Sequence, residues 1–167
     1  QAPEVIMSYS SEGLAKLSQN LHRCMRTHLC RGNYKEAVRP VLINSWEASY
    51  FNFTGESLLK LAKQAAALGI ELFVMDDGWF GNRNDDRRGL GDWKVNEKKL
   101  GCALGELIDK INKIGLQFGI WIEPEMVNED SDLYRAHPDW ALVIPGRKPN
   151  RGRHQLVLDF SRKEVVD

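Results

Sequence analysis

Phe73-Val74-Met75-Asp76-Asp77-Gly78-Trp79-Phe80 is the stretch on which the fold is read. Glu71 to Met75 opens it as a short apolar run without polar alternation, the pattern of a strand buried on both faces. The run ends by delivering two adjacent carboxylates into an aromatic loop. Ionised carboxylates taken out of water cost several kcal/mol unless they are paired or hydrogen-bonded. Such an arrangement is tolerated mainly where a ligand, a metal or a reaction uses it.

The same design recurs on either side. Val41-Leu42-Ile43 ends in Asn44-Ser45-Trp46-Glu47, Phe118 to Ile122 ends in Glu123-Pro124-Glu125, and Leu156-Val157-Leu158 ends in Asp159. Helical patterns lie between. Thr54 is placed to cap a helix carrying Leu58, Leu61, Ala62, Ala65 and Leu68, with Gly69 as its stop. Leu104, Leu107, Ile108, Ile111 and Ile114 mark another, stopped by Gly115. A short helix is expected near 130–137, and Ser161 with Glu164 reads as a capping box for a helix that starts there. Ahead of the repeat, residues 4–9 suggest a strand remnant, and the three-and-four spacing of Leu14, Leu17, Leu21, Cys24, Met25 and Leu29 predicts a helix over 12–30.

Strand and helix thus alternate four times. Continuous apolar strands joined by helices mean a parallel sheet with helices outside, and in such folds ligands sit at the carboxyl ends of the strands. The expected fold class is α/β of the (β/α)8 TIM-barrel type with only about the first four βα units present. It is a half-barrel fragment, since such barrels run to roughly 250 residues and this chain has 167. No Gly-x-Gly-x-x-Gly follows the first strand and no Walker loop appears, which removes the usual grounds for nucleotide binding.

Lys plus Arg and Asp plus Glu each number 23, so the chain is formally neutral and nothing points to nucleic acid or an anionic membrane. No apolar run approaches a membrane span, and Gln1-Ala2-Pro3-Glu4 is not the start of a signal peptide. Cys24, Cys30 and Cys102, odd in number and widely spaced, suggest reduced thiols in a cytoplasmic protein rather than a disulfide framework or a zinc site. His22, His28, His137 and His154 show no metal spacing.

Asp76 and Asp77 suit a sugar site, because each carboxylate accepts charge-assisted hydrogen bonds from vicinal hydroxyls. Neighbours on a strand point to opposite faces, so both reach one pocket only if the strand has loosened there. The competing reading pairs one of them with Arg83, Arg87 or Arg88. Trp46, Trp79, Trp93 and Trp121 cluster at or just after strand ends. An indole beside carboxylates offers a pyranose both the apolar face and the acceptors it needs. Trp140 is expected to pack a helix against the barrel. Glu123 and Glu125 resemble a glycosidase pair, but those carboxyls must flank the scissile bond from opposite sides, which one short segment does not allow. Arg153 is the better candidate for a pocket cation and Arg151 for a solvated surface. Asp159 either caps the next turn or enters the pocket.

Six ordered motifs carry a family resemblance: Asn44-Ser45-Trp46-Glu47-Ala48, Asp76-Asp77-Gly78-Trp79-Phe80, Gly91-Asp92-Trp93, Trp121-Ile122-Glu123-Pro124-Glu125-Met126-Val127, His137-Pro138-Asp139-Trp140 and Arg153-His154-Gln155-Leu156-Val157-Leu158-Asp159. Together they resemble bacterial α-galactosidases of glycoside hydrolase family 36. The resemblance implies retaining hydrolysis of terminal α-galactosides such as melibiose and raffinose, without a cofactor. It implies that Asp76 and Asp77 grip galactose hydroxyls, that Trp121 and Trp46 line the galactose subsite, and that Arg153 donates to the sugar. It divides the chain into 1–35, a linker strand and helix leading into the barrel, and 36–167, the N-terminal half of the catalytic domain. The family's nucleophile lies in a Lys-Trp-Asp motif that does not occur in these 167 residues. No catalytic residue is therefore assigned, and the chain alone is expected to be inactive.

Two other readings follow from the residues. Carboxylates at successive strand ends suit a Mg²⁺-dependent, enolase-like barrel enzyme, although indole faces offer a hydrated cation little. A non-catalytic sugar-binding half-barrel is the other. Unpaired first and fourth strands would invite association, so self-association, and a homo-oligomer for the whole protein, is expected.

Overall fold

The computed structural model describes residues 4–167. Gln1 to Pro3, on which part of the leader-peptide expectation rests, lie outside the described residues. The described chain falls into two units, one up to Pro40 and the other from Val41 to Asp167.

In the first unit, α1 (Leu14–Cys24) runs directly into a π-helical turn over Met25–Leu29. The helix expected over 12–30 therefore forms with a change of pitch near its end. The strand remnant expected over 4–9 does not form; those residues carry no regular structure. Val5, Met7 and Tyr9 are exposed, so no apolar contact within the unit fixes them as a strand.

In the second unit, β1 (Leu42–Asn44), β2 (Leu72–Met75) and β3 (Gln117–Ile120) form a parallel sheet in the order β1-β2-β3. Leu42 faces Leu72 in register, and Phe73 faces Phe118. The crossovers carry α3 (Gly55–Ala67) and α5 (Leu104–Lys113), as βα units require. Two shorter helices, α2 (Trp46–Ser49) and α4 (Glu97–Leu100), sit in the loops after β1 and β2. Thr54 caps α3 as expected: its hydroxyl accepts from Ser57 N–H at 3.2 Å, and its own N–H donates to Ser57 Oγ at 2.9 Å. Gly69, at φ +84°, reverses the chain at the other end, and Ile70 N–H reaches back to the Ala65 carbonyl at 3.2 Å. The middle strand is the core of the unit. Phe73 and Met75 are fully buried among Leu58, Ala62, Phe80, Leu90, Leu107 and Ile111.

The fourth apolar run departs from expectation. Residues Gln155–Val157 form β5, which pairs antiparallel with β4 (Met126–Asn128), a strand not foreseen from the sequence. Val127 faces Leu156 in that ladder, and the two bury a second cluster with Ala141 and Leu158. The parallel sheet thus has three strands among the described residues, and the half-barrel of four βα units is not what the structure displays. The physical reason is local. Beyond Trp121 the chain turns, with Met126 N–H closing on the Glu123 carbonyl at 3.3 Å across Pro124, and returns as β4 in an orientation that β5 can pair.

The helix expected near 130–137 is α6 (Asp132–Ala136), capped by the Ser131 hydroxyl accepting from Tyr134 N–H at 3.0 Å. The capping box expected at Ser161 does not form. The last helix, α7 (Lys163–Val166), starts after Arg162, while the Ser161 hydroxyl donates to Asp159 at 2.6 Å. Trp140 packs into the second cluster and stacks on His137 with ring centroids 4.0 Å apart.

Candidate functional site

The carboxyl ends of the three parallel strands supply most of the site. Asn44 ends β1, Asp76 and Asp77 follow β2, and Trp121 follows β3. Backbone bonds from Ser45 N–H to the Val74 carbonyl (3.0 Å) and from Trp121 N–H to the Met75 carbonyl (2.9 Å) hold these ends level. Because β2 closes at Met75, the two aspartates lie past the pleat, and its alternation no longer separates them.

Each aspartate is fixed differently. Asp76 accepts from Asn44 Nδ2 at 2.5 Å, while its backbone N–H donates to Ser45 Oγ at 3.0 Å. Its other oxygen accepts from Asp77 N–H at 2.7 Å. Asp77 is gripped by Arg83 through two of its nitrogens, Nε to Oδ1 at 2.9 Å and Nη2 to Oδ2 at 2.7 Å. Arg83 is fully buried and Asp77 nearly so. The pairing with a loop arginine therefore holds for Asp77, with Arg83 as the partner, and it does not remove Asp77 from the cavity. A planar fork meeting a carboxylate out of water is the geometry in which a buried ion pair is tolerated. Gly78 follows at φ +103°, where a side chain would press on Phe51 and Lys99. Lys99 donates to the Gly78 carbonyl at 2.8 Å and lies 4.5 Å from the Phe53 ring centroid. Burial holds its ammonium below the usual lysine range, with the Asp77 charge pulling the other way.

The aromatic residues divide by role. Trp46 opens α2 and is braced edge-on by Tyr50 and Phe51, at 5.2 and 5.1 Å. Trp79 is buried and donates its indole N–H to the Trp121 carbonyl at 2.9 Å, while Trp93 packs between Trp79 and Trp121. Trp46 and Trp121 face a cavity of about 400 Å³, with Asn44, Glu47, Asp76, Asp77 and Arg153 as the other lining residues. That volume falls among those of small-molecule sites. All five residues nominated as substrate-binding from the sequence, Trp46, Asp76, Asp77, Trp121 and Arg153, are brought together around it.

Asn44 and Glu47 line the same cavity without having been assigned roles. The signal was present for Asn44, a polar residue at a strand's carboxyl end. Arg151 stays at the surface, bound to Glu129 at 2.8 and 3.0 Å. Asp159 caps its own turn. Bonds from the Ser161 hydroxyl and N–H hold its carboxyl below the usual range.

Glu123 and Glu125 are not part of the cavity lining. Burial pushes Glu123 above the ordinary glutamate range, and the Glu125 charge adds to this against Arg153 and Arg83. A carboxyl whose folded pKa is raised contributes most at low pH and loses that contribution as pH rises through the raised value. Glu123→Gln is therefore expected to raise the melting temperature at neutral pH, with the gain vanishing as pH falls below the ordinary glutamate range. Melting curves across that range check it, and a gain that grows at low pH would contradict it.

Among the described residues no group of three or more His, Cys, Asp or Glu side chains is gathered to hold a metal ion. The aspartates that an enolase-like site would need are engaged by Asn44 and Arg83.

Comparison with known proteins gives a consistent set. The Melibiase family model matches residues 1–167. The bifunctional α-galactosidase/sucrose kinase AgaSK of Mediterraneibacter gnavus is 67% identical over 165 residues, 99% of this chain and 18% of that protein. Two solved structures of doubly substituted variants of the GH36 α-galactosidase AgaA of Geobacillus stearothermophilus also match. The one in complex with stachyose is 55% identical at a TM-score of 0.89, covering 94% of this chain and 22% of that one. The one in complex with raffinose is 55% identical at a TM-score of 0.85, covering 89% and 21%. The chain thus spans about a fifth of the length of these relatives.

Proposed function

The chain belongs to the melibiase family, and from that premise we propose that it is the galactose-binding part of a longer α-galactosidase. The reaction is retaining hydrolysis of terminal α-galactosides such as raffinose, stachyose and melibiose. The observation that carries this is one cavity onto which three carboxylates, Glu47, Asp76 and Asp77, converge with two indoles and an arginine. Galactose presents an apolar C–H face and a rim of hydroxyls. Trp46 and Trp121 offer surface to the first, and Asp76, Asp77 and Arg153 offer acceptors and a donor to the second. The stachyose and raffinose complexes of AgaA support the substrate class.

These residues by themselves bind and do not turn over. Retaining hydrolysis needs a nucleophile and an acid/base carboxyl about 5–5.5 Å apart on either side of the glycosidic bond. Asp77 is committed to Arg83, and Asp76 adjoins it on one segment. Exposed apolar residues at the sheet's outer strands, Leu42 and Ile120, support a further part of the proposal, that the working protein buries them, including as a homo-oligomer. The three unpaired thiols support a reducing, cytoplasmic setting.

The test is galactose release by the purified full-length polypeptide from raffinose, melibiose and stachyose, with lactose as the β-linked control. Release from the α-linked sugars alone is expected. No release from any α-galactoside would overturn the proposal.

A further inference from the structure

Two residues of the cavity are supported from behind by one buried amide. Arg153 and His154 both sit in the left-handed backbone region, at φ +53° and +62°, which side-chain-bearing residues rarely adopt and which persists only where the surroundings hold it. These residues are exposed, so packing does not hold the turn. Hydrogen bonds do: Gln155 N–H closes the turn on the Gly152 carbonyl, and one side chain ties the turn to the rest of the site. Asn128 Nδ2 donates to the His154 carbonyl at 2.9 Å and to the Asp86 carbonyl at 3.3 Å. The oxygen of the same amide accepts from Arg83 Nη1 at 2.9 Å and from Leu90 N–H at 3.0 Å. Arg83 in turn holds Asp77. Asn128 is fully buried, and its donors and acceptors are matched on every side. It stands opposite Gln155 in the β4–β5 ladder, directly beside the strained turn.

We propose that Asn128 is a positioning residue of the site, setting Arg153 through the His154 carbonyl and Asp77 through Arg83, so that the cation and the carboxylate facing the ligand move as one unit. The inference rests on the reading that an α-galactoside occupies the cavity. Asn128 touches no ligand itself. Its effect is carried by the 153–154 turn and the buried guanidinium. Networks of this kind are strong when complete and fail as a whole when one member is lost.

Asn128→Asp separates the two arms. The new carboxylate still offers an acceptor to Arg83 and to Leu90 N–H, but it presents an oxygen where the His154 carbonyl needs a donor. In the full-length polypeptide, kcat/KM for raffinose is expected to fall about 10- to 100-fold, mostly through KM, as a displaced binding group would cause. Made in an Arg153→Ala background, the same change is expected to cost less than about twofold, because the group it positions is already gone. An equal loss in both backgrounds would overturn the proposal, as would full activity of N128D. If N128D does not fold, N128S is compared across the same two backgrounds; it breaks both arms, so a smaller loss in the Arg153→Ala background supports the proposal and an equal loss overturns it. A wild-type protein inactive on every α-galactoside would instead remove the functional reading. An active one with additive losses would remove only the positioning role.

Discussion

Replacing Arg83 by methionine is expected to destabilise the protein by about 3–5 kcal/mol. The guanidinium is fully buried, and its removal strands the Asp77 carboxylate, itself only 3% exposed, without its partner. It also takes a donor from Asn128 and from the Arg88 carbonyl, bonded at 2.9 and 3.1 Å, and a cation from above the Phe51 ring. The dominant cost is the uncompensated buried charge rather than the lost bonds, because a buried ion pair gains little net stability while either half alone is expensive. Loss of about 3–5 kcal/mol corresponds to a fall in melting temperature of roughly 6–20 °C in a domain of about 150–250 residues, and to less in a larger cooperative unit. Asp77→Leu made together with Arg83→Met is expected to recover much of it, since no charge is then left unpaired. Thermal unfolding of the full-length polypeptide checks both. A single R83M within about 1 kcal/mol of wild type would mean that water reaches Asp77 after all.

Asp76→Asn is expected to have the opposite profile, with little change in stability and a large loss of activity. The amide keeps the shape of the carboxylate and an oxygen for Asp77 N–H. What it loses is charge at the cavity wall, where two sugar hydroxyls would each donate to an ionised acceptor. Hydrogen bonds to charged groups contribute about 1.5–3 kcal/mol each against about 0.5–1.5 for neutral ones, so losing the charged character of two, about 2–3 kcal/mol, lowers kcat/KM by roughly 30–150-fold. Asn44 contributes to the effect, because with the amide oxygen kept for Asp77 N–H its Nδ2 faces a second NH2 donor, and the same Asn44 side chain holds Trp46 N–H at 2.7 Å. Kinetics on raffinose together with a melting curve separate the outcomes. A D76N enzyme retaining more than a tenth of wild-type kcat/KM would remove Asp76 from the binding role.

The contrast between these two neighbours explains what the sequence disclosed and what it withheld. The parallel strands and their helices were legible because their signals are local. A run such as Leu72–Met75 has no polar alternation, Thr54 precedes an apolar period, and Gly69 follows it. Most of the cavity residues were legible because in a parallel α/β fold function gathers at the carboxyl ends of strands, and Trp46, Asp76, Asp77 and Trp121 lie just past the ends of β1, β2 and β3. The partner of Asp77 was not. Arg83, Arg87 and Arg88 share one loop, and only the folded chain shows Arg83 buried against the carboxylate while Arg88 turns outward to Asp85 at 2.9 Å. The direction of β5 was equally hidden. Three apolar residues carry no mark of whether their neighbour runs parallel or antiparallel, and Met126–Asn128 is too short a run to announce itself as the partner strand. Asn128 was missed for the same reason, since an amide becomes conspicuous only when it is seen to be buried.

The central claim, that a galactosyl unit sits in the cavity between Trp46 and Trp121 with its hydroxyls on Asp76 and Asp77, is tested most directly by a crystal structure of the full-length polypeptide soaked with galactose. The expected density is one pyranose ring within hydrogen-bonding distance of both aspartates and of Arg153. A ring bound elsewhere, or one that leaves Asp76 and Asp77 untouched, would contradict it.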